Sequence, residues 1–367
     1  MAYWTVVDDS YERVPIADRY LRHLRVGRGR AESTTESYAG DLAVFLGWVE
    51  DRGHDMATGA RQLDDFVWWL RRTPIERRGR GFGKPRGANR INHILSAVRE
   101  LYKHAVASGD VDPSVMSLLY EVVDASTLPA ELRASERGMA YRAAPRHGVR
   151  RERQAHPDAL TGEEFDAMLR TATTWRSRFL LALIYSTGIR IGAALGLRRS
   201  DLHFVDDARS LGCTIRGPHL HVVPRDNANR AGAKSRHPFH VPVRWELVDA
   251  YESYLAERAA VPAADDCDFV LVNLQREPLG APMRYDATQE HIARIGVLAG
   301  VPRPVRPHMF RHGHGQALAD SGADLAVIKE LLGHQSIMSS GVYVRPGAGR
   351  LRAAVDALPP IRAGDIT

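Results

Sequence analysis

The chain is 367 residues long, enough for about two domains, and its 44% hydrophobic and 26% charged residues match ordinary soluble usage, which excludes wholesale disorder. No apolar run approaches the roughly 18 residues of a membrane span, and the start Met1-Ala2-Tyr3-Trp4, with Asp8 and Asp9 close behind, lacks the basic and apolar regions of a signal peptide, so a cytoplasmic protein without membrane association is expected. The net charge of +6 permits a polyanionic partner but does not by itself separate DNA from RNA or an acidic protein.

From Ile16 to about Val111 the chain reads as helices separated by polar breaks. Ser33-Thr34-Thr35-Glu36 has the pattern of a capping box, and Tyr38, Leu42, Phe45, Leu46 and Val49 follow at helical spacing, so one face is expected to be buried. A second start is expected near Gln62, with Leu63, Phe66, Val67 and Leu70 apolar, and Ile91, Ile94, Leu95, Val98, Leu101 and Tyr102 form the next amphipathic pattern. Between these helices the Arg/Gly-rich stretch 71–90 reads as a loop. Its Arg77, Arg78, Arg80, Lys84, Arg86 and Arg90 are candidates for phosphate contact, or simply a solvated loop.

Residues 112–158 carry several prolines and a basic run from Arg142 to Arg153, and read as an elaborated linker. The expected division is therefore 1–111, an all-α domain; 112–158, a basic linker; and 159–367, a mixed α+β domain in which helices dominate. In the last part Thr161-Gly162-Glu163-Glu164 predicts a helix start, and Phe179 to Tyr185 is apolar up to a break at Thr187 and Gly188, followed by a helical pattern through Leu197. The segments 219–223 and 239–243 are β-prone and predict a hairpin with a polar tip over 225–236. Segments 247–255, 285–298, 310–318 and 325–332 read as helices.

Six residues carry the chemistry: Arg190, Lys234, His308, Arg311, His334 and Tyr343. Attack on a DNA phosphodiester builds negative charge on the non-bridging oxygens, and arginine meets it with a planar fork that stays charged. Arg190 and Arg311 are the candidate phosphate clamp. Tyr343 is the candidate nucleophile; an unperturbed phenol has a pKa of about 10 and needs positive surroundings and a proton acceptor. His308, one turn before Arg311, is the candidate acceptor, His334 a donor to the phosphate, and Lys234 the acid that protonates the departing 5′ hydroxyl. Each residue alone would most simply be surface or packing. The two cysteines, Cys213 and Cys267, lack Cys-x-x-Cys spacing, and His308, His312 and His314 have no local thiol or carboxylate partner, so neither a disulfide nor a metal site is expected.

The words Ser186-Thr187-Gly188-Ile189-Arg190, His308-Met309-Phe310-Arg311-His312 and Leu332-Gly333-His334, with Tyr343 beyond, resemble the tyrosine recombinase (phage integrase) family over about residues 16–358. The stretch 227–235 and the following His240-Val241-Pro242-Val243 are similar to the transposon-borne branch as well as to integrases. The resemblance implies a helical core-binding (SAM-like) domain and a mainly helical catalytic domain, clamped around double-stranded DNA. It also implies a 3′-phosphotyrosyl intermediate formed without metal, cofactor or ATP, and a homotetramer on paired recombination sites that is monomeric or dimeric off DNA, with accessory proteins as further candidate partners. The competing readings are relaxation of the type IB topoisomerase kind, a non-catalytic DNA-binding regulator and, more distantly, a metal-dependent nuclease. Two positions depart from the family pattern. Ala193 stands where many relatives have an acidic residue, and Val344-Arg345 follows Tyr343 where many place a histidine two positions on. An amphipathic pattern over 350–358 is expected to dock on a neighbouring subunit.

Overall fold

The computed structural model describes residues 2–77, 81–124, 141–150, 158–235 and 237–333, apart from the side chains of 75–77, 81–82, 84, 123–124 and 141–142. The chain divides into two compact units, Met1–Arg153 and Gln154–Thr367. Among the described residues no helix is long and apolar enough to cross a membrane.

The first unit is built on α1 (Pro15–Arg22), α2 (Glu32–Glu50), α3 (Met56–Arg61), α4 (Leu63–Arg72) and α5 (Ala88–Ala107). The predicted faces are the buried ones: Leu42, Phe45 and Val49 on α2 meet Phe66 and Leu70 on α4 and Ile94, Val98, Leu101 and Tyr102 on α5. Each such side chain contributes about 1.5–3 kcal/mol by leaving water. Local chemistry differs from the prediction in two places. The helix α2 starts at Glu32 after Ala31 with no side-chain cap, and Thr35 turns its hydroxyl back to the Glu32 carbonyl. The Arg/Gly stretch is a β-hairpin instead of a loop, with β1 (Pro74–Arg77) antiparallel to β2 (Gly81–Pro85).

Beyond α5, a one-turn α6 (Met116–Leu119) leads into β3 (Tyr120–Asp124), which pairs antiparallel with β4 (Tyr141–Pro145). Asn92 on α5 then holds Val149 through two hydrogen bonds of 2.8 Å, so the described part of 113–150 packs on the first unit.

In the second unit, α7 (Gly162–Thr171) opens with the expected capping box between Thr161 and Glu164. Helix α8 (Trp175–Thr187), apolar nearly all round, is buried in the core, where Phe179 stacks on Tyr254 of α10 (Trp245–Ala259). Between them lie α9 (Ile191–Gly196) and an antiparallel sheet of β5 (Leu202–His203), β6 (His219–Val222) and β7 (Phe239–Pro242), in that spatial order. Helices α11 (Tyr285–Leu298), α12 (Pro307–Asp320) and α13 (Leu325–Leu332) follow. The buried cation Arg258 is satisfied by the carbonyls of Ala264, Cys267, Phe269 and Val270, which pins the strand-like core segment through Val272.

Candidate active site

Gly188 ends α8 in the left-handed region at φ 62, which turns the chain sharply so that Arg190 becomes the N-cap residue of α9. A Cβ at Gly188 would lie 2.6 Å from the His314 ring and 2.7 Å from a Leu332 methyl, so α12 and α13 close directly on this turn. Arg311, buried on α12, makes the connection polar. Its guanidinium donates to the Gly188 carbonyl at 2.8 Å and to the Leu332 carbonyl at 2.7 Å. One side chain thereby ties the turn that carries Arg190 to the helix end that leads into His334.

The Lys234 segment reaches the same place by close backbone packing. A Cβ at Gly192, in the first turn of α9, would lie 2.5 Å from the Gly232 carbonyl. Asn229 donates to the Leu195 and Met283 carbonyls at 3.0 and 2.9 Å, and Arg225 grips both oxygens of Asp201 at 2.7 Å. β6 and β7 pair as the predicted hairpin, and their connection packs on α9, with Asn229, Ala231 and Ala233 buried while Asp226, Arg230 and Lys234 stay exposed. Lys234 itself is exposed, with φ 53, a left-handed conformation rare for a non-glycine residue.

His308 lies at the exposed start of α12, its ring 4.7 Å from that of His312. Its pKa is pushed down to about 4 by loss of solvation first, then by the closeness of His312, Arg311, Arg190 and Lys234. Three of the other five sequence-predicted residues, Arg190, Lys234 and Arg311, thus bring their charge to the His308 imidazole. The calls on His334 and Tyr343 lie outside the described residues; Gly333, just before them, caps α13 at φ 58 against the Phe239 ring. Ala193 is buried in the core, so no carboxylate stands at that position.

The phage integrase family profile matches residues 158–349, and that of the phage integrase N-terminal SAM-like domain matches 17–109. The chain belongs to the phage integrase family. Among curated members, it is 29% identical to the tyrosine recombinase XerD of Mycobacterium tuberculosis over 333 residues, covering 88% of this chain and 90% of that protein. It is also 29% identical to the tyrosine recombinase XerC of Mycobacterium leprae over 346 residues, covering 94% of this chain and 99% of that one. The fold is shared with the Tn1549 transposon integrase in complex with transposon right end DNA, at TM-score 0.59 and 13% identity over 93% of this chain and 98% of that one. It is shared too with the XerH site-specific recombinase bound to its difH substrate, at TM-score 0.56 and 16% identity over 96% and 91%. As a phage integrase family member the chain is a tyrosine recombinase, an enzyme that breaks and rejoins DNA, with an N-terminal SAM-like domain and a mainly helical catalytic domain.

Of the basic residues proposed for DNA contact, Arg78 and Arg80, and the side chains of Arg77 and Lys84, lie outside the described residues. Arg86 donates to the Thr73 carbonyl at 2.9 Å and lies 5.5 Å from the Trp69 ring centre. Arg90 pairs at 2.5 Å with the fully buried Asp41. Sequence reasoning passed over a second basic patch in the same unit, where Arg28, Arg30, Arg99 and Lys103 line one concave surface with Tyr38 and Tyr120. Its charges come from two separate segments, 28–30 and α5, so no local run announced it. Sequence reasoning also missed a group of metal-ligand side chains in the catalytic unit, His203, Cys213, His219 and His221, whose donor atoms all lie within 4.8 Å of one another.

Proposed function

We propose that this recombinase acts on double-stranded DNA by metal-free transfer of a backbone phosphodiester to Tyr343, with Arg190 and Arg311 holding the scissile phosphate. The observation that carries the reading is the convergence on one imidazole of the charges of Arg190, Lys234 and Arg311. The three cations set up a positive field at an exposed histidine, and such a field favours a bound phosphate. With that anion bound, the cationic field at His308 is offset, its pKa rises from about 4 toward neutrality, and the ring becomes a better acceptor for the Tyr343 proton.

The bonds then balance simply. The phenolate oxygen of Tyr343 bonds to phosphorus, the 5′ oxygen leaves, and Lys234 returns a proton to it. The 3′-phosphotyrosyl link keeps the energy of the original ester, so a 5′ hydroxyl from a second duplex reverses the step without ATP. His334 donates to the phosphate alongside the two arginines. The basic stretch 77–90 adds backbone contacts from the SAM-like domain, with Arg86 and Arg90 already held by Thr73 and Asp41. Four protomers on two sites, linked by the C-terminal segment 350–358, form the working assembly, and the protein works in the cytoplasm on chromosomal or mobile-element DNA.

The test is a nicked, labelled substrate carrying the cognate site, recovered from DNA bound near the protein's own gene. It is incubated with wild type and Tyr343→Phe, with EDTA added together with the DNA. A denaturation-resistant protein–DNA adduct formed by wild type and absent from Tyr343→Phe is expected. Binding without adduct would overturn the catalytic assignment, and an adduct surviving in Tyr343→Phe would overturn the choice of nucleophile.

A further inference from the structure

The sheet of the catalytic unit carries three histidines on one face. His203 on β5 lies directly opposite His219 on β6 in the antiparallel register, and His221 is two residues along from His219, which returns its side chain to the same face. The rings meet edge-on, His203 lying 5.0 Å from His219 and 4.6 Å from His221 between centres. The connection 204–218 then folds back over them. Gly212 turns in the left-handed region at φ 76 after the 3-10 turn Arg209–Leu211, the Cys213 amide bonds the Ala208 carbonyl at 3.1 Å, and a bridge joins Asp207 to Arg216. This delivers the Cys213 sulfur to 3.3 Å from Nε2 of His219 and 3.6 Å from Nε2 of His221.

The protonation of His219 follows from its partner. Nδ1 lies 2.7 Å from the Gly217 carbonyl, which can only accept, so Nδ1 carries the hydrogen and Nε2 presents its lone pair to the sulfur. A thiol has one proton to share between two such nitrogens. His203 adds a third imidazole, with a ligand atom within 4.8 Å of those of the other three residues. The whole group is one divalent cation short of being satisfied.

We propose that His203, Cys213, His219 and His221 hold one zinc(II) ion. Tetrahedral zinc, with bonds of about 2.3 Å to sulfur and about 2.0–2.1 Å to nitrogen, sets sulfur and nitrogen roughly 3.6 Å apart, close to the separations at Cys213. Zinc displaces the Cys213 proton to solvent, and the three imidazoles and the thiolate fill its shell. With no position left for water or a phosphate, the ion is structural and takes no part in strand transfer. It fastens the 204–218 connection to the sheet whose β6 leads into the Lys234 segment. The Gly217 carbonyl orients His219 in the way outer groups fix metal-bound histidines.

The test uses the full-length protein produced with zinc supplied and then dialysed. Elemental analysis should return one zinc per chain for wild type and Cys267→Ser, falling to near none in Cys213→Ser. Cobalt(II) exchanged into the same protein should give an intense tetrahedral visible band and a thiolate-to-cobalt charge-transfer band that Cys213→Ser loses and Cys267→Ser keeps. Should Cys213→Ser fold poorly, wild type alone decides: prolonged chelation should lower its unfolding temperature, and stoichiometric zinc, but not magnesium, should restore it. Wild type that retains no zinc and shows no thiolate-to-cobalt band would overturn the proposal. So would a thiolate-to-cobalt band that survives in folded Cys213→Ser, which would place the metal at Cys267.

Discussion

Two histidine clusters sit in the catalytic unit, and their neighbours give them opposite chemistry. On α12, His308, His312 and His314 lie beside the Arg311 guanidinium, with Arg190 and Lys234 also close to His308. A dication there would meet positive charge and no thiolate, whereas an anion is welcome. On the sheet, His203, His219 and His221 face a thiol with no arginine or lysine among the donors, and there a dication is welcome. Residue type alone does not separate the two. The charge brought by the adjoining elements does.

The difference can be broken most severely at Arg311. Arg311→Met leaves the Gly188 and Leu332 carbonyls without that donor and removes a cation from the proposed phosphate site. Recombination should fall by on the order of 10²–10³-fold, and stability by about 1–3 kcal/mol, which strand-exchange assays and urea titration measure separately. Gly192→Ala tests the other side of the same cluster. Its new methyl would push the Gly232 carbonyl and the Lys234 segment away, so single-turnover cleavage should slow by about 10²-fold while DNA binding holds.

On the sheet, Cys213→Ser should lower the unfolding temperature by several degrees and abolish its response to chelator, whereas His312→Asn should leave zinc content unchanged. Acid provides a subtler comparison. His291 and His314 are each pushed down to about 4, chiefly by burial, so the unfolded chain takes up protons before the folded one. Stability contributed by their neutral forms is complete above the unfolded value of about 6.5 and is lost as pH falls from there to about 4, which urea midpoints across that window would trace. The smallest effect expected is at a helix start: Asp55→Ala removes the acceptor for the Thr58 amide and should cost about 1 kcal/mol.

Much of this molecule was legible in the sequence because the signals are local. Apolar spacing over 38–49 and 91–102 marked helices whose buried faces are the predicted ones, since a 3.6-residue repeat needs only the chain itself to define a face. The capping box at Thr161 and the break at Gly188 are equally short-range, and the order of the motif words from Arg190 to Tyr343 was sufficient to identify the family. The misreadings lie where composition was taken for conformation. Arg and Gly in 71–90 suggested a loop, but strand pairing satisfies those backbone groups in a hairpin. The hairpin around 225–236 was predicted, but not that small residues and asparagine amides would let its polar connection pack on α9.

The sequence by itself determined the helical segments, the family and the set of catalytic candidates, because each depends on residue order within a few turns of chain. Only the tertiary structure decided which histidines share a cation, which share a thiol, and that Arg311 spends its hydrogen bonds on two backbone turns. Those outcomes depend on distances between residues tens of positions apart. His203 meets His219 through strand register, and Arg311 meets Gly188 through helix packing, neither of which is written in local spacing.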